Sequence, residues 1–201
     1  MWLSTSCTFK FHISDTTPFL FMLRPRGDLN QHITFEEFII KPNIKITQFQ
    51  DIYGNSYQRF VAPPGKLKVQ SNARIKINEN NNAFGKEFIE INSLPENVLL
   101  YLLPSRYCES DTFNLMANEI TQGLALGYEQ VNAITNWIRN NISYEHSSSD
   151  IHVSAVEVNN RKFGVCRDFA HLAIALCRSI SIPSRIVVGY LYQLEPMDLH
   201  A

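Results

Sequence analysis

The sequence predicts an α+β protein in which an antiparallel β-sandwich precedes a mixed domain of helices and strands. Apolar and polar residues alternate with period two in the first half, and apolar residues recur at helical spacing in the second half. The pattern changes near residue 105 of the 201 residues, and the chain is long enough for two small domains. We therefore expect a β-rich N-terminal domain over residues 1–104 and a second domain over residues 105–201.

Short strands account for the first half of the chain. Phe9, Phe11 and Ile13 alternate with polar residues, and the apolar residues from Leu67 to Ile77 keep one parity. Further β-rich runs cover residues 19–23, 33–40 and 44–49, and turn signals rich in Pro, Gly and Asn separate them. Several short strands at this spacing favour an antiparallel sandwich whose strands each have one buried face.

Amphipathic helices account for the start of the second half. A first helix is expected from an N-cap at Asp111, and a second is expected over residues 131–142. Residues 154–160 predict a short third helix. The apolar positions of the two longer helices are Phe113, Met116, Ala117, Ile120 and Leu124, and then Val131, Ile134, Ile138 and Ile142.

The segment that follows Cys166 is apolar around nearly its whole circumference, which predicts a helix that is buried on most sides. Pro183 ends this helical region, and residues 184–194 predict a strand through Ile186, Val187 and Val188. We expect the other helices to surround the Cys166 helix and to pack against a sheet that this strand begins.

Composition excludes several classes of function. The chain has 18 Lys and Arg against 19 Asp and Glu, and a net charge of −1 lacks the positive field that nucleic-acid binding needs. No apolar run reaches about 18 residues, so we expect no membrane span. The N-terminus lacks the features of a signal peptide, so we expect either a cytoplasmic protein with reduced thiols or a mature chain whose leader is absent from this sequence. The Cys and His spacings do not match a zinc site, and we expect no metal and no cofactor.

Cys166 is the candidate nucleophile, because it lies where a loop meets the buried helix. Gly164 allows a tight approach of the backbone, and Arg167 adds a positive charge beside the thiol. The first turn of a helix offers N–H groups and a dipole that favour an anion, and the amide of Cys166 can donate to an oxyanion. The competing interpretation is a buried structural cysteine, since free Cys is among the most buried residue types.

Three polar residues beside Cys166 leave alternatives open. Asp168 and His171 stand at i and i+3 on the buried helix, where they either steady the active-site helix or make ordinary polar contacts, and the second interpretation is favoured. Arg167 either pairs with a carboxylate or acts on the thiolate. Cys177 lies further along the same helix and is expected in the core.

These residues resemble the transglutaminase-like superfamily, most closely its bacterial branch. The pattern of that branch runs G-V-C-x-D-[FY]-A-x-L, then R-x-x-G-I-P-[AS]-R-x-V-x-G-Y, and then H-A-W. The matching segments of this sequence are residues 164–172, 175–178, 182–185 and 189–191, and His200-Ala201. The β-rich first half is also similar to the N-terminal domain of that branch, through residues 23–26, 51–55 and 103–108.

The resemblance implies a papain-like catalytic domain with a Cys-His-Asp triad. Cys166 takes the position of the nucleophile and His200 that of the general base. The aspartate that orients the histidine would follow Ala201, so the resemblance also implies that the catalytic domain is incomplete at its C-terminal end. Asp198 lies close to His200 in sequence, but a solvated strand residue is the favoured interpretation.

The expected function is therefore acyl transfer by a cysteine nucleophile on peptide or side-chain amides of a protein or peptide substrate. Hydrolysis is favoured over transglutamination, because bacterial relatives are commonly described as cysteine proteases. The alternative is a catalytically inactive protein-interaction module on the same fold, in which the sandwich presents the binding face.

Overall fold

The computed structural model describes residues 1–27, 31–77, 85–146, 152–191 and 199–201. The chain divides into two compact units, Met1–Asn82 and Ala83–Ala201. This division lies earlier than the expected boundary between residues 104 and 105. Residues 85–104 join the second unit through backbone contacts: the carbonyl of Lys86 accepts from Tyr128 N–H at 3.0 Å, and that of Tyr101 accepts from Ser184 N–H at 3.1 Å.

The first unit contains two antiparallel sheets of three strands each, as the β-sandwich prediction requires. The strand order is β1-β6-β3 in one sheet and β2-β5-β4 in the other. These strands are β1 (Trp2–Ile13), β2 (Thr17–Phe21), β3 (Gln31–Lys41), β4 (Thr47–Gln50), β5 (Ser56–Ala62) and β6 (Gly65–Ile77).

Period-two patterning places the core between these sheets. In β6 the residues Leu67, Val69 and Ile75 are buried on one face. Aromatic rings join the two sheets, since the ring of Phe11 in β1 lies 5.4 Å from the ring of Phe19 in β2. The parity of apolar residues in the sequence therefore predicted the buried face of the central strand correctly.

The second unit packs three helices around a fourth. Its core includes the fully buried side chains of Ile134, Val158, Leu172 and Leu176. Three short 3₁₀ helices cover Ile91–Ser93, Glu96–Leu102 and Ser110–Thr112. The remaining elements are α1 (Asn114–Ile120), α2 (Tyr128–Asn141), β7 (Ser143–Tyr144), α3 (Ala155–Arg161), β8 (Phe163–Gly164), α4 (Cys166–Ser179), β9 (Gly189–Tyr190) and β10 (Leu199–His200).

The predicted N-cap at Asp111 is wrong. Ser110–Thr112 forms a 3₁₀ turn, so α1 begins only at Asn114, after Phe113. The helix also ends at Ile120 rather than at Leu124, because the chain reverses at Gly123 with φ 77°. The predicted apolar stripe is correct within α1, but the helical spacing of apolar residues in the sequence continues beyond both ends of the helix.

The expected strand over residues 184–194 forms only in part. Within the described residues, the strand is limited to Gly189–Tyr190, which pairs antiparallel with Leu199–His200. Residues 192–194 lie outside the described residues. Val187 and Val188 precede the paired segment and are 60% and 52% exposed. A β-rich sequence needs a hydrogen-bonded neighbour to become a strand, and composition alone does not supply one.

No helix among the described residues is both long enough and apolar enough to cross a membrane. The longest of them, α2 and α4, have 14 residues each.

Gly127 gives a direct test of the packing at the start of α2. Its backbone has φ 93° and ψ −119°, and an added Cβ would lie 2.6 Å from the backbone nitrogen of Phe88. Gly127→Ala should therefore lower the free energy of unfolding by about 3 kcal/mol, through backbone strain and overpacking together. The measurement is equilibrium unfolding in urea.

Gly123→Ala is the matched control for this substitution. Gly123 also has positive φ, 77°, but an added Cβ would meet nothing within 4 Å. Only the left-handed backbone then opposes alanine, at a cost of about 1 kcal/mol. Equal losses in the two variants would contradict the proposed close packing of Gly127 against residues 86–88.

Candidate active site

Cys166 is the first residue of α4. Its predecessor Val165 is extended, with φ −104° and ψ 178°, so the chain changes from strand to helix at the cysteine. In this position the backbone N–H of Cys166 has no acceptor inside the helix, and it lies at the positive end of the helix dipole. The thiol is half-buried and is not in a disulfide.

The side chain of Asp168 closes the first turn of α4. It is fully buried, and its Oδ2 accepts a hydrogen bond from the backbone N–H of Val165 at 3.1 Å. Val165 has no side-chain acceptor of its own, so this carboxylate is the cap that the helix uses. Two arginines neutralise it: Arg161 Nη2 donates to Oδ2 at 2.9 Å, and Arg167 Nη2 lies 3.1 Å from Oδ1.

Gly164 leaves the space that this carboxylate occupies. A Cβ on Gly164 would lie 2.8 Å from Cβ and 2.9 Å from Oδ2 of Asp168, distances that real Cβ atoms do not show. The glycine is also fixed from the other side, because β8 pairs parallel with β7 and the carbonyl of Gly164 accepts from Glu145 N–H at 2.9 Å. Gly164 was expected to allow a close approach of the backbone, and the group that approaches it is the side chain of Asp168.

His171 lies one turn further along α4 and does not hydrogen-bond to Asp168. Its ring stacks on Tyr107, with centroids 5.3 Å apart and an interplanar angle of 6°. Burial lowers the pKa of His171, although a hydrogen bond to the backbone carbonyl of Val153 and the charge of Asp168 act in the opposite direction. Its Nδ1 is buried without a hydrogen-bond partner among the described residues. The ring therefore packs as a neutral group.

A groove of about 830 Å³ connects the two predicted catalytic residues. Cys166 and His200 both line it, Cys166 from the start of α4 and His200 from β10. His200 pairs with Gly189, which places the histidine in a short strand. Apolar and aromatic side chains form much of the remaining wall, namely Ile138, Ile142, Tyr144, Phe169 and Ala173. Asp198, the weaker candidate for orienting the histidine, lies outside the described residues.

Two of the other three cysteines occupy buried environments that suppress reactivity. Burial raises the pKa of the Cys177 thiol to about 11, and it also raises the pKa of Cys108. Cys177 is in the core, as expected from its position on α4. Cys7 lies in β1 and is half-buried, as Cys166 is. Cys7 and Cys166 therefore form a natural comparison in two different backbone environments.

Sequence reasoning missed Arg161 and Tyr107. Arg161 ends α3, seven positions before its carboxylate partner, and no periodicity relates the two residues. The only local signal was the capping box of Ser154 and Glu157, which indicates a helix just before Cys166. Among the described residues, no group of three or more His, Cys, Asp or Glu side chains could hold a metal ion.

Comparison with known proteins finds similar sequences and a similar fold. The sequence profile of the transglutaminase-like superfamily matches residues 115–201. A crystal structure of a proposed cysteine protease from Cytophaga hutchinsonii is 30% identical, covering 100% of this chain and 73% of its own, with a TM-score of 0.87. An uncharacterized protein of Mycobacterium leprae (strain TN) is 25% identical over 178 residues, and the match spans 63% of that relative.

The buried ring of His171 predicts an acid-sensitive unfolding equilibrium. Its pKa in the folded protein lies below the ordinary value of 6.5, so the unfolded chain binds the proton first as pH falls. The free energy of unfolding should therefore decrease as pH falls from about 7.5 to 5, and His171→Gln should make this decrease shallower. Urea unfolding at each pH measures the slope.

His152→Gln is the control for this titration. His152 is exposed and also faces Tyr107, at 6.4 Å between ring centroids. Its removal tests whether any histidine near Tyr107 produces the slope. An unchanged slope in His171→Gln, or a shallower slope in His152→Gln, would contradict the assignment to His171.

Proposed function

Because the chain belongs to the transglutaminase-like superfamily, we propose that it is a cysteine acyl-transfer enzyme in which Cys166 is the nucleophile and His200 the general base. The observation that carries this proposal is that a half-buried thiol at the first residue of a helix shares one groove with a strand-borne histidine. This reaction requires at least a nucleophile and a base that face the same cavity.

The start of α4 supplies the electrostatics for a thiolate. The N-terminal dipole of the helix favours an anion on Cys166. Arg161 at the end of α3 and Arg167 in the first turn of α4 both pair with Asp168, so the buried carboxylate places no unpaired negative charge beside the cysteine.

The proposed reaction has two stages. His200 takes the proton of Cys166, and the thiolate attacks the amide carbonyl carbon, so that a C–S bond forms and an oxyanion develops near the N–H of Cys166. The C–N bond then breaks as His200 gives its proton to the leaving amine, and a thioester remains. In the second stage His200 accepts a proton from the incoming water or amine, whose oxygen or nitrogen forms a bond to the carbonyl carbon. The C–S bond then breaks, the acid or amide product leaves, and His200 returns the proton to the sulfur of Cys166.

We favour water as the acceptor, which makes the reaction hydrolysis of a peptide or side-chain amide. Support comes from the Cytophaga hutchinsonii protein, which is described as a proposed cysteine protease and covers the whole of this chain. An amine acceptor would make the same thioester an intermediate of transamidation. The two outcomes differ in how well the groove excludes water once the thioester has formed.

Alkylation tests the activated thiol without requiring a substrate. At about pH 6, iodoacetamide should label Cys166 at least about tenfold faster than Cys7, because the two thiols are similarly exposed but only Cys166 lies at a helix N-terminus. Cys177 should stay unlabelled in the folded protein, since burial raises its pKa to about 11. Peptide mapping by mass spectrometry gives each rate. Equal rates for Cys166 and Cys7 would overturn the proposal.

Substitution tests the two roles with labelled casein as substrate. Cys166→Ala should reduce fragment release by at least about 10³-fold, and His200→Gln by about 10²-fold or more. Cys7→Ala and His12→Gln serve as matched controls, because both residues lie in β1 of the other unit. Incorporation of a fluorescent primary amine, measured in parallel, distinguishes transamidation from hydrolysis. Unchanged turnover in Cys166→Ala would contradict the catalytic role.

A further inference from the structure

We propose that Asp168 and Arg161 are positioning residues that fasten the backbone just before Cys166 to the first turn of α4, an inference that rests on the nucleophilic role of that cysteine. Neither side chain lines the groove that contains Cys166 and His200. Both act on the short segment from Phe163 to Asp168, which carries the chain out of β8 and into α4.

The Oδ2 atom of Asp168 is the centre of this arrangement. It accepts from the N–H of Val165 at 3.1 Å and from Nη2 of Arg161 at 2.9 Å. The first bond fixes the residue immediately before Cys166. The second bond connects the first turn of α4 to the last residue of α3. The carboxylate is fully buried, so water does not compete for these bonds.

Arg161 holds the strand as well as the carboxylate. Its Nε donates to the carbonyl of Phe163 at 2.7 Å, and its guanidinium lies 4.7 Å from the centroid of the Phe163 ring. One planar guanidinium therefore bonds the backbone before Cys166 and the side chain after it. This fork geometry is specific to arginine, because a lysine ammonium is a point charge on a flexible stem.

Gly164 shows that the arrangement is tightly packed. An added Cβ there would lie 2.9 Å from Oδ2 of Asp168 and 3.3 Å from Nη2 of Arg161. The carbonyl of Gly164 also accepts a hydrogen bond from the N–H of Glu145, the residue that follows β7. The pair therefore fills a defined space against a fixed strand and has little freedom to shift.

Arg167 bonds the same carboxylate from within α4. Its Nε donates to Oδ1 at 3.2 Å, so it uses the oxygen that Val165 and Arg161 leave available. Arg167 and Asp168 are neighbours in α4, and the bond between them does not itself connect the helix to another element. Arg161 and Arg167 thus carry equal charge to one carboxylate, and the bonds of Arg161 in addition tie α4 to α3 and β8.

This difference between the two arginines gives the test. The variants are Arg161→Gln, Arg161→Lys and Arg167→Gln in the full chain, and the readout is the rate of Cys166 alkylation by iodoacetamide from about pH 5 to 9. Arg161→Gln and Arg161→Lys should lower the rate at about pH 6 by about tenfold, because a small displacement of the thiol weakens its interaction with His200 and the helix N-terminus. Arg167→Gln should stay within about threefold of the parent chain.

Two internal standards separate positioning from unfolding. Protection of Cys177 reports that the second unit remains folded, and Cys7 gives the reactivity of a thiol in the first unit. A merely structural role for Arg161 would lower Tm but leave the Cys166 rate of the protected protein unchanged, and that result would overturn the proposal. A larger loss in Arg167→Gln than in Arg161→Lys would also overturn it, because charge rather than geometry would then control the thiol.

Failure of this inference is distinguishable from failure of the proposed function. If Cys166 of the parent chain reacts no faster than Cys7, the nucleophilic role fails first and the positioning role loses its basis. If Cys166 reacts fast in the parent chain and equally fast in both Arg161 variants, the enzyme proposal stands and the positioning proposal is wrong.

Discussion

A single buried carboxylate constrains the region that contains Cys166. Asp168 is inaccessible to solvent, so its charge must be neutralised and its oxygens bonded inside the protein. The sequence meets this demand with Arg161 from the end of α3, with Arg167 from α4 and with the backbone N–H of Val165. Gly164 follows from the same constraint, because any side chain there would displace the carboxylate. Gly164, the start of α4 and the two arginines therefore all accommodate the same buried charge.

The opposite end of α4 is fixed by the same type of interaction. Arg178 donates through Nε and Nη2 to the carbonyl of Ser184, at 2.9 and 2.6 Å, and through Nη1 to that of Leu103 at 2.7 Å. A cation at a helix C-terminus is also favourable for the dipole. The buried helix is thus held by polar contacts at both ends and by apolar contacts along its length, and this leaves the thiol at its first residue little freedom to move.

The sequence predicted those features that depend on local periodicity. Alternation predicted the buried face of β6, and the short helix predicted over residues 154–160 corresponds to α3. Features that depend on a distant partner were not predictable in this way. Arg161 and Tyr107 bond or stack with residues of α4 only after the chain has folded. The strand predicted after Pro183 was too long for the same reason, because pairing with β10 determines which residues form the strand.

The four cysteines show why position, rather than residue type, determines which thiol can react. Burial raises the pKa of Cys108 and of Cys177, so these two thiols hold their protons in the folded protein. Cys7 is half-buried like Cys166 but lies within a strand, whose net dipole is small because successive peptide dipoles alternate. Cys166 alone among them combines a place in the groove with a helix N-terminus. The chemistry proposed for that residue therefore depends on where α4 begins, and α4 begins where Asp168 can cap it.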